Sequence, residues 1–122
     1  MILADTSIWI DHLRSGNKEL GNLLDRGQIL IHPFVTTELA LGSLRDRVDT
    51  LALLDLLPQL RVAQLSEVRL TVEVRRLYSR GIGLVDVHLI ASVLLNPPTL
   101  LWTRDKALRR VTEILGIHAG LI

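Results

Sequence analysis

The chain has 122 residues, enough for one domain with a hydrophobic core, and its lack of cysteine excludes disulfides and thiolate metal sites. Fourteen Lys and Arg residues stand against 13 Asp and Glu residues, a balance that by itself indicates nothing about nucleic acid. The apolar runs are too short to span a membrane and no basic signal region opens the chain, so we expect one cytoplasmic domain over residues 1–122.

Short apolar segments alternate with longer segments of helical periodicity along the whole chain. Strands are predicted at 2–4, 28–32, 61–65 and 99–102. Helices are predicted at 7–13, 18–26, 33–45, 48–57, 66–80, 84–95 and 104–115. Because strands that alternate with helices are typical of parallel sheets, we predict an α/β fold with helices on both faces of the sheet.

Two aspartates follow predicted strands, at the edge of a parallel sheet where ligands usually bind. Asp5 comes directly after the first strand, and Asp105 follows the last one. Capping of the next helix is the alternative role for each. Ser7 is an equally good cap for the first helix, which would leave Asp5 free for other work, and Thr103 is an ordinary cap for the last helix.

Glu38 lies within a predicted helix whose neighbouring side chains are apolar. Its neighbours three and four positions away are Phe34, Val35, Leu41 and Gly42. We therefore expect a buried carboxylate, which needs a cation, a proton or a salt bridge to an arginine.

Asp86 opens a helix that is apolar nearly all round and therefore predicted to be buried. A carboxylate in a first turn is also favoured by the helix dipole, which is the ordinary alternative. Since this helix feeds a parallel strand, its first turn should lie at the same sheet edge as Asp5. His88, two positions further on, is predicted to be a core residue.

The four acids are thus expected at one edge of one sheet, where their charges would repel each other. Divalent cations held by oxygen ligands usually relieve such repulsion, and the absence of a Cys or His cluster favours Mg²⁺ or Mn²⁺ over zinc. Without these four acids, the basic residues clearly outnumber the acidic ones. Candidate contacts to a phosphodiester backbone are Arg75, Arg76, Arg80, Arg104 and Lys106, although a solvated helix face would explain them as well.

Four ordered motifs, "ILADTSIWIDHL", "TTELALGSL", "GIGLVDVHLIAS" and "LWTRDKAL", resemble the PIN-domain family, most closely its VapC-type toxins. The resemblance covers essentially the whole chain. It implies an α/β/α sandwich with a central, mainly parallel sheet of four to five strands and about seven helices. It also implies a Mg²⁺- or Mn²⁺-dependent endoribonuclease, a small VapB-type antitoxin as partner, an RNA substrate and a homodimer.

Carried over by motif, the catalytic acids are Asp5, Glu38, Asp86 and Asp105. The expected metal ligands among them are Asp5, Asp86 and Asp105. The hydroxyl groups expected to position carboxylates or water belong to Thr6, Ser7 and Thr103. Some relatives carry a further acid shortly after the fourth, where this chain has Lys106, Ala107 and Leu108, so fewer ligands are available for a second ion.

Other functions remain open at this point. A catalytically inactive PIN-like module could bind RNA or a partner, although the intact acid quartet argues against it. Receiver-type and HAD-type phosphoryl-transfer domains also place an aspartate after a strand, but the HAD type requires a second Asp where this chain has Ser7.

Two surfaces are predicted for partners. The Leu-rich helices at 18–26 and 48–57 are expected to form a groove for an amphipathic antitoxin segment. In the helix at 66–80, Val68, Val72 and Leu77 are expected to form the apolar centre of a dimer interface.

Overall fold

The computed structural model covers residues 1–122 and contains a parallel sheet of three strands. The strands are β1 (Ile2–Ala4), β2 (Ile29–Leu30) and β3 (Leu100–Trp102), in the order β2-β1-β3. Ile2 lies opposite Ile29 on one side and Leu100 on the other. Seven helices accompany them: α1 (Thr6–Ser15), α2 (Lys18–Asp25), α3 (Pro33–Ala40), α4 (Arg47–Asp55), α5 (Leu65–Arg75), α6 (Leu84–Leu94) and α7 (Lys106–Leu115).

The sheet is narrower than the expected four to five strands. Two isolated parallel bridges, Ile31 with Gln59 and Leu101 with His118, extend it at its two edges. The strand predicted at 61–65 is wrong, because the chain pairs with the sheet only around Gln59: the Leu60 N–H donates to the Ile31 carbonyl over 2.8 Å. A capping box between Gln64 and Glu67 then starts α5 at once.

Two helices end earlier than predicted. α3 ends at Ala40 instead of continuing to residue 45, and the Arg47 guanidinium donates to the Ala40 carbonyl over 2.5 Å. α5 ends at Arg75 instead of residue 80, because Arg76 and Ser79 take left-handed backbone angles with φ of 54° and 58°. Left-handed residues cannot continue a right-handed helix, so residues 76–83 form a loop.

One hydrophobic cluster of 23 buried residues forms the core. It includes the central strand residues and the middle of α6, where every residue from Val87 to Val93 is buried, as the sequence predicted. His88 is also buried, as expected, with its ring centroid 4.5 Å from that of Phe34. None of the helices has both the length and the apolar character that a membrane span requires.

A buried polar chain attaches the start of α3 to α6. Ser92 donates its only hydroxyl proton to the Arg61 carbonyl over 2.7 Å, so the His32 Nε2–H donates to Ser92 over 3.1 Å. His32 Nδ1 accepts the Phe34 N–H over 3.0 Å and thereby caps α3. Burial, and then the nearby His88, lower the pKa of His32 to about 4, so the ring is neutral at pH 7. This series of hydrogen bonds helps to position α3, which carries Glu38.

Candidate active site

The ends of the two adjacent strands β1 and β3 bring separate parts of the chain together. Asp5 follows β1, and its N–H donates to the Trp102 carbonyl at the end of β3 over 2.9 Å. The segment from Thr103 to Asp105 leaves β3 at this point and enters α7. Because the strands are parallel, Asp5 and Asp105 lie at the same edge of the sheet.

Asp5 is nearly buried, with 6% of its surface exposed, and both carboxylate oxygens accept hydrogen bonds. Oδ1 accepts from the Ser7 hydroxyl over 2.5 Å and from the Ile8 N–H over 3.3 Å, while Oδ2 accepts from the Thr103 hydroxyl. Burial raises the pKa of Asp5, and the hydrogen bonds from Ser7 and Thr103 oppose part of that rise.

Of the two candidate caps of α1 that the sequence left open, Asp5 and not Ser7 is the N-cap. Ser7 lies inside the first helical turn, where its hydroxyl donates to Asp5 and does not accept an N–H of α1. Thr103 likewise does not cap α7; Asp105 does, with its Oδ1 accepting the Leu108 N–H over 2.9 Å. Capping and a role in the site are therefore not exclusive for these two acids.

Two of the three predicted hydroxyl groups contact Asp5, and each also accepts a backbone N–H. Ser7 Oγ accepts from the Arg104 N–H over 3.1 Å, and Thr103 Oγ1 accepts from the Asp105 N–H over 3.0 Å. Thr6 points elsewhere: its hydroxyl donates to Glu38 Oε1 over 2.5 Å. The hydroxyl groups thus connect Asp5 to the loop after β3, and Glu38 to α1.

Glu38 is exposed, so the expectation of a buried carboxylate is wrong. The core-facing residues of α3 are Val35 and Leu39. Since α3 ends at Ala40, Leu41 does not extend the apolar face and is itself 84% exposed. Glu38 therefore sits on the solvent side of α3, where its contact with Thr6 turns it towards α1.

Asp86 is half-buried in the first turn of α6, where its Oδ2 accepts the Gly83 N–H over 3.2 Å. Burial raises the pKa of Asp86, and the negative charges of Asp105 and Glu38 raise it further. Since these charges act on Asp86 only from nearby, three of the four predicted acids share one region. Asp105 is exposed beside it.

The chemistry of these donors fits a hard divalent cation, although the side chains do not converge as ligands. In the structure no three Asp, Glu or His side chains lie close enough to hold one ion. Asp86, Asp105 and Glu38 each use one oxygen in a hydrogen bond within the protein. The second oxygen of each accepts no hydrogen bond from the protein and is therefore available to a cation.

The predicted RNA-binding residues fall into two groups. Arg75, Arg76, Arg80 and Lys106 are exposed, and the loop after α5 approaches the start of α7, where a Cβ on Gly81 would lie 3.7 Å from that of Ala107. Arg104 differs because its Nη1 pairs with Asp11 Oδ1 at 3.2 Å. No sequence pattern pointed to Asp11, since the two residues are 93 positions apart.

A concave surface beside Glu38 was also missed. It has a volume of about 250 Å³, and it shares Arg14 with an adjoining cavity of about 330 Å³ that Arg45 also lines. Both arginines are exposed. In the sequence they resemble ordinary solvated side chains, so only the tertiary structure associates them with Glu38.

Comparison with known proteins identifies the class. Residues 2–114 match the PIN domain family, and the chain belongs to that family. Its α/β architecture agrees with the fold that the sequence motifs implied.

Within this family, the resemblance to VapC proteins is confirmed. The chain is 45% identical over 117 residues to Ribonuclease VapC32 of Mycobacterium tuberculosis, from strains CDC 1551 / Oshkosh and ATCC 25618 / H37Rv. The match covers 96% of this chain and 94% of that protein.

Proposed function

We propose that this protein is a Mg²⁺- or Mn²⁺-dependent endoribonuclease, the toxin of a toxin–antitoxin module that cleaves cellular RNA in the cytoplasm and so stops translation and growth. The observation that carries the proposal is the acidic edge of the sheet, where burial and then the charges of Asp105 and Glu38 raise the pKa of Asp86. Its PIN domain and its 45% identity to a ribonuclease of the VapC type support the same reaction.

In this proposal Asp5, Asp86 and Asp105 hold the metal. When bound, the ion would lower the pKa of a water molecule and offset negative charge on the scissile phosphate. Ser7 and Thr103 fix the orientation of the Asp5 carboxylate through the hydrogen bonds described above. Glu38 is suited to orient the attacking water, because it is exposed and Thr6 holds only one of its oxygens. The exposed cations that would bind neighbouring phosphates are Arg75, Arg76, Arg80 and Lys106.

Expression of the chain alone in a bacterial host should arrest growth and produce RNA fragments with defined 5′ ends. Asp86→Asn should abolish both effects, because it removes one proposed metal ligand. Asp49→Asn is the matched control, since Asp49 also lies in a helical first turn but on α4. Growth counts and sequencing of RNA 5′ ends measure the result. Normal growth with intact RNA in cells that contain the folded wild-type protein would contradict the toxin function.

An apolar groove between α1, α2 and α4 supports a protein partner. It has a volume of about 300 Å³, and its lining includes Trp9, Leu24 and Leu57. Leu53, which also lines it, is 67% exposed. We assign this groove to an amphipathic segment of a VapB-type antitoxin. Leu13 lines both this groove and the concavity that contains Glu38, so a bound segment could continue towards the acids and place an arginine there.

The dimer interface predicted around Val68, Val72 and Leu77 is wrong for two of these three residues. Val68 and Leu77 are 3% and 4% exposed and belong to the core, so they cannot form an interface. The outer face of α5 instead presents Leu70 and Val74, which are 64% and 67% exposed. Together with Leu95 they line a shallow depression of about 180 Å³ between α5 and α6. We propose that a homodimer forms through this face.

Two substitutions that each introduce a charged side chain test the antitoxin groove and the dimer face independently. Leu53→Glu should abolish rescue of growth by the co-expressed cognate antitoxin and leave the oligomeric state unchanged. Leu70→Glu should convert a dimer to a monomer in light scattering and leave antitoxin rescue intact, so each variant is the control for the other. A monomer mass near 13.7 kDa for the wild type at micromolar concentration would refute the dimer, and full rescue of Leu53→Glu would refute the groove.

A further inference from the structure

A set of polar contacts outside the four acids fastens the loop after β3 to α1. Arg104 Nη1 lies 3.2 Å from Asp11 Oδ1, and Asn17 Nδ2 donates to Asp11 Oδ2 over 3.0 Å. Both carboxylate oxygens of Asp11 are therefore in use. The Asp11 side chain is 28% exposed, and that of Arg104 is 47% exposed.

Asn17 is itself held firmly. Its Oδ1 caps α2 by accepting the Leu20 N–H over 3.0 Å, and its own N–H donates to His12 Nδ1 over 3.0 Å. The orientation of the Asp11 carboxylate is thus determined by the turn between α1 and α2 as well as by α1.

Arg104 contacts α1 at two points that are one helical turn apart. Its backbone N–H donates to Ser7 Oγ over 3.1 Å, while its guanidinium reaches Asp11. Ser7 and Asp11 are four residues apart in α1 and therefore lie on the same helix face. Ser7 in turn donates to Asp5, so the loop, α1 and the buried acid form one connected unit.

We infer that Arg104 and Asp11 form a clasp that positions the Thr103–Asp105 loop, and with it Asp105 and the hydroxyl groups that orient Asp5. Arg104 is then a positioning residue and not a contact to RNA phosphate, because its guanidinium is directed to Asp11. The structural part of this inference stands by itself, and only its effect on catalysis rests on the proposed function. An exposed ion pair of this kind contributes up to about 1 kcal/mol, which corresponds to an effect of about fivefold.

The variant Asp11→Ala tests the clasp, because it releases the guanidinium and leaves Arg104 in place. Exchange of the Arg104 and Asp105 backbone amides, measured by NMR in metal-free protein, should accelerate about fivefold. Cleavage of a single-stranded RNA oligonucleotide with Mn²⁺ should show kcat lowered about fivefold and KM unchanged. If Arg104 were an RNA contact, the released guanidinium would instead lower KM and leave kcat and amide exchange unchanged, which would overturn the inference.

Glu113→Ala is the matched control. It breaks the 3.0 Å ion pair between Arg109 and Glu113 and so also releases one arginine. Both residues of this pair belong to α7, so the variant leaves the contact between Arg104 and Asp11 intact. It should change neither amide exchange nor kcat. Equal changes in this control would show a general charge effect and would refute the clasp.

Combining Arg104→Ala with Asp11→Ala should add nothing to the kcat loss of either variant, because both remove the same contact. Additive losses would contradict the clasp. If the wild type cleaves no RNA while Asp11→Ala accelerates amide exchange, the clasp holds and the proposed function fails. If exchange is unchanged, the clasp fails even in an active ribonuclease.

Discussion

Replacement of Asp5 by asparagine is expected to lower RNA cleavage at least about a thousandfold and, at neutral pH, to raise the melting temperature. Asparagine has nearly the same shape and can still accept the Ile8 N–H and one hydroxyl hydrogen bond. It cannot carry the negative charge that the proposed metal site requires. Cleavage of a defined RNA oligonucleotide and thermal unfolding monitored by circular dichroism measure the two effects.

The gain in stability follows from the raised pKa of Asp5. Because burial raises that pKa in the folded protein above its ordinary value of 3.8, the folded state binds the Asp5 proton more tightly than the unfolded chain does. Asp5 therefore lowers the free energy of unfolding progressively as the pH rises from near 3.8 through the pKa of the folded state. An asparagine at this position does not titrate, so the advantage of the Asp5→Asn variant should be absent at lower pH and complete at neutral pH.

Asp49→Asn controls for the general loss of one negative charge, since Asp49 is exposed. The difference in melting temperature between Asp49→Asn and the wild type should not increase as the pH rises. A melting temperature at pH 7 that is lower for Asp5→Asn than for the wild type would mean that the Asp5 charge stabilises the fold. That result would contradict the expectation that the buried charge of Asp5 lowers the free energy of unfolding.

The parts of the fold that follow local periodicity could be predicted. The short apolar runs around Leu3 and Leu101 became the two adjacent strands β1 and β3, and the apolar segment around Ile90 became the buried helix α6. The placement of Asp5 and Asp105 also follows from chain direction, because residues that succeed parallel strands lie at the same sheet edge.

The exposure of Glu38 could not be predicted, because it depends on where α3 ends. The apolar periodicity predicted a helix that continues beyond Ala40. The helix ends at that residue, and the Ala40 carbonyl accepts a hydrogen bond from Arg47 on the next helix. That contact joins residues seven apart across a turn, which no helical pattern reveals. Glu38 consequently lies on the solvent side, next to Thr6, and not within the apolar face.

The choice of N-cap for α1 could not be predicted either. Ser7 and Asp5 are both good N-cap residues, so local preference could not decide between them. The tertiary contact is made by Thr103, which directly follows β3 and places its hydroxyl beside Asp5 although it is 98 positions away in sequence. The pairing of Arg104 with Asp11 is likewise a tertiary contact, and it alters the role expected for that arginine.

Binding of a divalent cation, on which the proposed chemistry depends, is expected to stabilise the folded protein. Burial, and then the charges of Asp105 and Glu38, raise the pKa of Asp86, as expected for three neighbouring carboxylates that repel each other when no ion is bound. A divalent cation would relieve this repulsion, and it would bind the folded state in preference to the unfolded chain. Mn²⁺ should therefore raise the melting temperature of the wild type and have little effect on Asp5→Asn or Asp86→Asn.

Cleavage of a single-stranded RNA oligonucleotide by the purified protein, with EDTA and then with an excess of Mg²⁺ or Mn²⁺, is the most direct test of the acidic site. We expect cleavage to fall at least about a hundredfold in EDTA and to return fully when either ion is added. Asp86→Asn, prepared in parallel, should remain inactive throughout and so exclude a contaminating ribonuclease. Undiminished cleavage by the wild type in EDTA, absent from the Asp86→Asn preparation, would contradict a metal-dependent reaction at these four carboxylates.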